Sequence, residues 1–267
     1  MAGSVDEEGG GPVVFNREYA RTRPASDHPG SEVAGGKQRS ITRAITSGNY
    51  RGSSKTDKES PKGTVSRWTA ETVGVGRWAR EKGLIIPTAE IDRLPVISDN
   101  TAEHRVHFDA TTQRAVKVTE PGSYGTTYYV DNGKLMNTLA SPVDYAKRWA
   151  AFNRVFGDSI EVEGFALGKG DDPFTKEPAY GMVISQPWYR AGNERRPLPT
   201  LDEVAEYLQQ LGFVKAKGFA QWYRTSDGVY LGDARDDNFM LTNEGVRAID
   251  LGIDQLSQAD LKALGFM

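Results

Sequence analysis

The sequence predicts an α+β protein in two lobes, with strands first and a helix and further hairpins after them. Three observations predict it. "EHRVHFD" (103–109) and "RAVKVT" (114–119) alternate apolar and polar residues on either side of the short turn "ATTQ". "TTYYVDNGKLMN" (126–137) does the same around Asn132-Gly133, a pair that a type I′ turn favours. "SPVDYAKRWAAFNRVFG" (141–157) then changes to helical spacing. Ser141 serves as its cap, Pro142 takes the first helical position and Gly157 ends it.

The remaining elements follow in order. Residues 1–64 are polar, Gly- and Ser-rich and aperiodic, and they read as a disordered tail or linker. Order is expected from Val65, with the first lobe over about 65–186 and a reduced second lobe over about 187–267. "SRWTAETVGVGRWAREKGL" (66–84) has helical spacing of Val65, Trp68, Val75 and Trp78, with Gly83 as a stop. Gly74 and Gly76 look like the start of a phosphate loop, but no strand precedes them. "IEVEGFAL" (160–167) and "YGMVISQP" (180–187) read as strands. "TLDEVAEYLQQLGF" (200–213) opens with a capping box, Thr200 and Glu203. "FAQWYRTSDGVYLGD" (219–233) is a hairpin turning at Asp227-Gly228. Trp149, Phe152 and Phe156 read as a core stripe, and "YGTTYYV" reads as an edge-strand aromatic face.

Composition removes several classes of function. The 267 residues contain no cysteine and three histidines, so disulfides, thiolate zinc sites, cysteine nucleophiles and histidine-rich metal sites are excluded. A net charge of -3 leaves no nucleic-acid footprint, and nucleic acid is not an expected partner. No apolar run reaches the ~20 residues a membrane helix needs. The opening "MAGSVDEEGG" lacks a basic-then-apolar signal, so the expected location is cytoplasmic.

The chemistry concentrates in "LGDARDDNFMLTNEGVRAIDLG" (231–252). Asp233 follows the strand "GVYL", and Asn238 comes five residues later. "FML" and "VRAID" form a hairpin around "TNEG", and Asp250 ends its second strand. A hairpin brings its two ends together, so Asp250 returns beside Asn238 and Asp233. Three oxygen donors then meet at one edge. Mg²⁺ takes hard oxygen ligands, few of them from protein, and phosphates supply the rest. Such a site suits phosphoryl transfer, where positioning and charge neutralisation carry most of the catalysis. Asp236 and Asp237 read as solvent-facing loop charges.

Asp-x4-Asn, a hairpin and Asp-x-Gly together resemble the catalytic loop and metal-binding motif of protein kinases. "AVKV" (115–118) resembles the kinase strand that carries the phosphate-binding lysine, here Lys117, and "VISQPWYRAG" (183–192) resembles the last N-lobe strand and hinge. "EHRVHFDATTQRAVKVTEPGSYG", "FNRVFGDSIEVEGF", "SQPWYRAG" and "LGDARDDN" are together similar to the kinase-like domain of bacterial polyvalent proteins, which belong to phages and mobile elements. The resemblance implies a two-lobed kinase-like fold with a mostly antiparallel N-lobe sheet and a truncated C-lobe, and ATP and Mg²⁺ as cofactors. It makes Asp233 the catalytic base or hydroxyl orienter and Asn238 and Asp250 the metal ligands. Lys117 is placed on the α/β-phosphates, with Glu103 or Asp144 as its acidic partner, and Gln186 with the nearby hinge backbone on the adenine.

The chain departs from the kinase pattern at three places. "VISDNTAEHRV" (96–106) stands where a Gly-rich loop is expected and contains no glycine, so Ser98, Thr101 or backbone amides are left to cover the phosphates. Leu231-Gly232 replaces His-Arg before Asp233, and aminoglycoside phosphotransferases also have a glycine directly before that aspartate. The chain after Gly252 is too short for the usual kinase substrate-docking lobe. The implied activity is phosphorylation of a protein hydroxyl. The alternatives are a small-molecule acceptor, or a pseudokinase that binds nucleotide or a protein partner without transfer.

Overall fold

The computed structural model describes residues 35–47, 61–99, 103–171, 176–192 and 196–267. Helix α1 (Gly35–Thr46) lies inside the stretch expected to be a disordered tail, and it corrects that expectation for its own residues. Ile41 and Ile45 are buried and join the main core. Two isoleucines four residues apart lie on one helix face and anchor it, yet they vanish when composition is averaged over a long polar segment. The rest of the expected tail, 1–34 and 48–60, lies outside the described residues.

Helix α2 (Pro61–Glu81) begins a few residues before Val65. Gly74 and Gly76 fall within it, and a β-carbon on Gly76 would approach the Tyr180 ring to 3.0 Å, so close packing accounts for that glycine. Then come β1 (Ile85–Ile86), α3 (Thr88–Ile91), β2 (Val96–Ser98), β3 (His104–Asp109) and β4 (Arg114–Thr119). They are followed by β5 (Thr126–Asp131), β6 (Lys134–Leu139), α4 (Pro142–Phe156), β7 (Glu161–Asp171) and β8 (Pro178–Pro187). Six of these strands make one mixed, mostly antiparallel sheet in the order β1-β7-β8-β4-β3-β2, with only β1 and β7 parallel. Residues 179–186 of β8 are all buried, as its nearly unbroken apolar run requires. Lys117 on β4 pairs with Val106 on one side and Ile184 on the other, so it sits mid-sheet.

Helix α4 forms as its ends dictate. The Ser141 side chain accepts the Asp144 N–H, the Asp144 carboxylate accepts the Ser141 N–H, and Gly157 closes the helix at φ 66°. Its buried face carries Tyr145, Ala146, Arg148, Trp149, Phe152 and Val155. Each large apolar side chain here contributes about 1.5–3 kcal/mol by leaving water. Arg148 is the only charge among the buried residues of this helix.

The second half contains α5 (Leu201–Gln210), β9 (Val214–Lys215), β10 (Trp222–Arg224), β11 (Val229–Gly232), β12 (Phe239–Thr242), β13 (Gly245–Ala248), β14 (Gly252–Gln255) and α6 (Gln258–Ala263). A four-stranded sheet runs β14-β11-β10-β9, and β12 and β13 form a separate hairpin. The β5–β6 hairpin turns with Asn132 at φ 48° and Gly133 at φ 71°, as a type I′ turn requires. It stays out of the six-stranded sheet. Instead Tyr128, Val130 and Leu135 pack with Tyr230, Leu256 and Leu261 of the second half. Among the described residues, no helix is long and apolar enough to cross a membrane.

Candidate functional site

Strand β11 delivers Asp233, and strand pairing determines where Asp250 stands. Gly232 pairs with Gly252 across β11 and β14, so the chain leaves and re-enters the small sheet at one place. Between them, the Asn238 carbonyl accepts the N–H of Ile249 at 2.9 Å and of Asp250 at 3.3 Å, closing the base of the β12–β13 hairpin. Asp233 has φ 57°, a left-handed conformation that aspartate tolerates better than most residues. The Asn238 amide donates to the Asp233 carbonyl at 2.7 Å and to its carboxylate at 2.9 Å. With both N–H groups spent there, the amide offers its oxygen to anything else. Arg235 holds the other Asp233 oxygen at 2.8 Å and lies 3.5 Å from Asp237. The hairpin thus brings the backbone of Asp250 to Asn238 and the Asn238 side chain to Asp233, while the Asp250 carboxylate turns to Arg148 at 2.8 Å.

Lys117 reaches the same place from the large sheet. Its Nζ donates to the Ile249 carbonyl at 2.8 Å, directly before Asp250, and lies 5.2 Å from the Trp149 ring centre. Its side chain is buried. Burial pulls its pKa below the ordinary lysine value, and the Asp250 charge resists that pull. Neither expected acidic partner touches it. Asp144 is spent on the α4 cap and on Arg67 at 2.5 Å, which corrects its expected place beside Lys117. Glu103 pairs with Arg148 at 2.6 Å and reaches Lys117 only through its field. Gln186 is buried, and its side-chain amide donates to Asp158 at 2.7 Å, where the Tyr189 hydroxyl also binds at 2.8 Å.

Arg148 joins the two halves. Nε donates to the Leu251 carbonyl at 2.8 Å, Nη1 to Glu103 at 2.6 Å and Nη2 to Asp250 Oδ1 at 2.8 Å. Its carbon Cζ lies 4.8 Å from the Trp149 ring centre, so Lys117 and Arg148 share one indole. Burial works against the Arg148 cation, but Glu103 and Asp250 outweigh it and raise its pKa further. Burial likewise works against the Asp250 anion, but Lys117, His104 and Arg148 outweigh it and hold its carboxyl below the usual range. His104 binds the Tyr145 hydroxyl at 2.6 Å and lies 3.7 Å from Asp250 Oδ2. Burial pushes its pKa down to about 4, so it is neutral at neutral pH. Two cations then face two carboxylates.

Sequence reasoning missed Arg148, His104 and Tyr128. The signal for Arg148 was legible: it falls three residues after Tyr145 and four before Phe152, inside the apolar stripe. Tyr128 packs edge-on against Tyr230, with ring centres 4.9 Å apart, and covers the Gly232–Gly252 pair. A β-carbon on Gly232 would clash with the Tyr128 hydroxyl, which explains that glycine. Asp254 fastens the same hairpin by accepting the Thr127 hydroxyl at 2.9 Å and the Tyr128 N–H at 2.8 Å.

Asn238 and Asp250 are hard oxygen donors of the kind Mg²⁺ takes, but they are only two, and phosphate and water oxygens must complete the shell. Among the described residues, no group of three or more His, Asp or Glu is arranged to hold a metal. No protein-family model, curated protein or solved structure matches the chain.

Proposed function

We propose that this chain is an ATP- and Mg²⁺-dependent phosphotransferase of the protein-kinase-like superfamily, acting on a protein hydroxyl. The observation that carries the reading is the meeting of Lys117 with the Asp233–Asn238–Asp250 loop: Lys117 donates to the residue next to Asp250, and Asn238 is bonded to Asp233. The order of parts also supports it, with the lysine strand, α4, the hinge-like end of β8 and then the loop. In this reading the six-stranded sheet and α4 belong to an N-lobe, and the elements after β8 form a reduced C-lobe.

Bound Mg²⁺ would neutralise the phosphate charge, held by the Asn238 amide oxygen and the Asp250 carboxylate. Lys117 would place its ammonium on the α/β-phosphates, as a compact charge does best. Asp233 would take the proton of the acceptor hydroxyl, whose oxygen would bond to the γ-phosphorus as the bond to the β–γ bridging oxygen broke and ADP left. A small-molecule acceptor is the alternative within this chemistry, on the resemblance of Gly232 before Asp233 to aminoglycoside phosphotransferases, although packing against Tyr128 already accounts for that glycine. A second reading, nucleotide binding without transfer, has its own support: Arg235 and Asn238 already occupy the Asp233 carboxylate, and Arg148 occupies one oxygen of Asp250.

Melting curves with ATP, with and without Mg²⁺, followed by incubation with radiolabelled ATP, separate these readings. The expected result is an Mg²⁺-dependent rise in Tm and label on an acceptor, with Lys117→Ala abolishing transfer while the fold persists. Asp250→Asn is expected to weaken Mg²⁺-dependent binding more than Asp233→Asn does. Binding without any transfer selects the second reading, and no binding rejects both.

A further inference from the structure

We infer that Arg148 is the positioning residue of this site, holding Asp250 and Leu251 on one side and Glu103 on the other so that Asp250 presents a fixed oxygen to the metal. The inference rests on the nucleotide-site reading above. Three donors of one rigid fork meet three acceptors from two separate segments, and α4 carries the fork. Asp250 Oδ1 is taken by Nη2, so Oδ2 is the oxygen left to turn toward a cation. The neutral His104 ring approaches Oδ2 only to 3.7 Å, too long for a hydrogen bond. The arrangement inverts the expected charge order. The cation comes from the helix and the acid from the start of the sheet, and Lys117 keeps its ammonium free of a direct carboxylate contact. Because Lys117 and Arg148 balance Glu103 and Asp250, a bare divalent cation gains little here. Its affinity comes with the charge of the phosphates.

The fork also explains why a lysine is no substitute. One ammonium on a flexible stem cannot hold a carbonyl and two carboxylates in a fixed plane. Groups that orient a metal ligand from behind typically govern affinity by about 10–100-fold.

The test is calorimetric titration of ATP into the full chain, once in Mg²⁺ and once in EDTA. The parent is expected to bind more tightly in Mg²⁺. In Arg148→Lys that Mg²⁺ increment is expected to fall by about tenfold, with the EDTA affinity almost unchanged because Lys117 is untouched. Glu103→Gln, which leaves Arg148 bonded to Asp250 and Leu251, is expected to lose a smaller part of the increment. A full increment in Arg148→Lys overturns the inference. So does an equal loss in Mg²⁺ and EDTA, which marks a purely structural staple. If Arg148→Lys fails to fold, Glu103→Gln decides: a reduced increment at constant EDTA affinity supports the inference, and an unchanged one overturns it. A parent with no Mg²⁺-dependent binding rejects the nucleotide-site reading itself, and this inference with it.

Discussion

Arg148 keeps 9% of its side chain exposed and Arg235 keeps 46%, yet each bridges two carboxylates of the same site. Arg148 joins Glu103 to Asp250 inside the protein, and Arg235 joins Asp233 to Asp237 at its surface. Arg148 uses two nitrogens, at 2.6 and 2.8 Å, whereas Arg235 reaches both carboxylates from Nε, at 2.8 and 3.5 Å, and the two differ in consequence. Removing the buried cation strands two partly desolvated anions, whereas removing the exposed one lets water take its place. The same difference governs how each half is held. Side chains that cannot leave hold the buried half. Backbone holds the exposed half: the left-handed Asp233, the 3₁₀ turn Asp236–Asn238 and the Asn238 carbonyl that seals the hairpin.

Arg148→Met and Arg235→Ala measure the difference between the two arginines. Arg148→Met is expected to cost about 3 kcal/mol, at the low end for a broken buried pair because Asp250 retains 34% exposure. Arg235→Ala is expected to change stability by less than about 0.5 kcal/mol. Denaturant unfolding of both measures the gap, and equal costs would erase the distinction.

Gly232→Ala probes the joint between the halves. The added methyl group meets the Tyr128 ring, and overpacking of this kind costs about 2 kcal/mol. In a Tyr128→Ala background the same substitution has room, so the cost should largely disappear. A double-mutant cycle reads that coupling directly.

The smallest expected effect is one of pH. Burial raises the pKa of Asp254 to about 6. Its charged form is therefore penalised in the folded protein at all pH values above that. The penalty lifts as pH falls through 6 and is gone near 4, where the carboxyl is protonated in both states. Asp254→Asn keeps an oxygen for Thr127 and Tyr128, so it should be more stable than the parent at pH 8 by about 1 kcal/mol. That advantage should close by pH 4. Melting curves across pH 4–8 test it, and a constant difference would assign the effect to packing.

Local chemistry was legible where the local sequence determines it. The α4 caps, the Asn132-Gly133 turn and the capping box at Thr200 and Glu203 stand as their residues require. The return of the Asp250 backbone to Asn238 was legible because a hairpin must bring its ends together. What escaped was decided by partners distant in sequence. Alternation in 126–137 marks a hairpin but does not say which sheet receives it, and it docks with residues 230–261. Strand β14 has only four residues, with Ile253 as its one buried apolar residue, and it exists because β11 supplies its hydrogen bonds. Helix α1 shows itself through two isoleucines. Of the two acids expected opposite Lys117, Asp144 is spent on the α4 cap and Glu103 on Arg148, a cation on the buried face of the same helix.

The indole of Trp149 lies 5.2 Å from Nζ of Lys117 and 4.8 Å from Cζ of Arg148, measured to the ring centre. Light absorption by indole shifts electron density across the ring, so the energy of its emission depends on the charges beside it. Two cations held beside this ring set that colour in the resting protein. A ligand that draws either cation away retunes it. The chain thus carries its own optical gauge of the site, readable as the difference between the parent spectrum and that of Trp149→Phe, with no dye or label added.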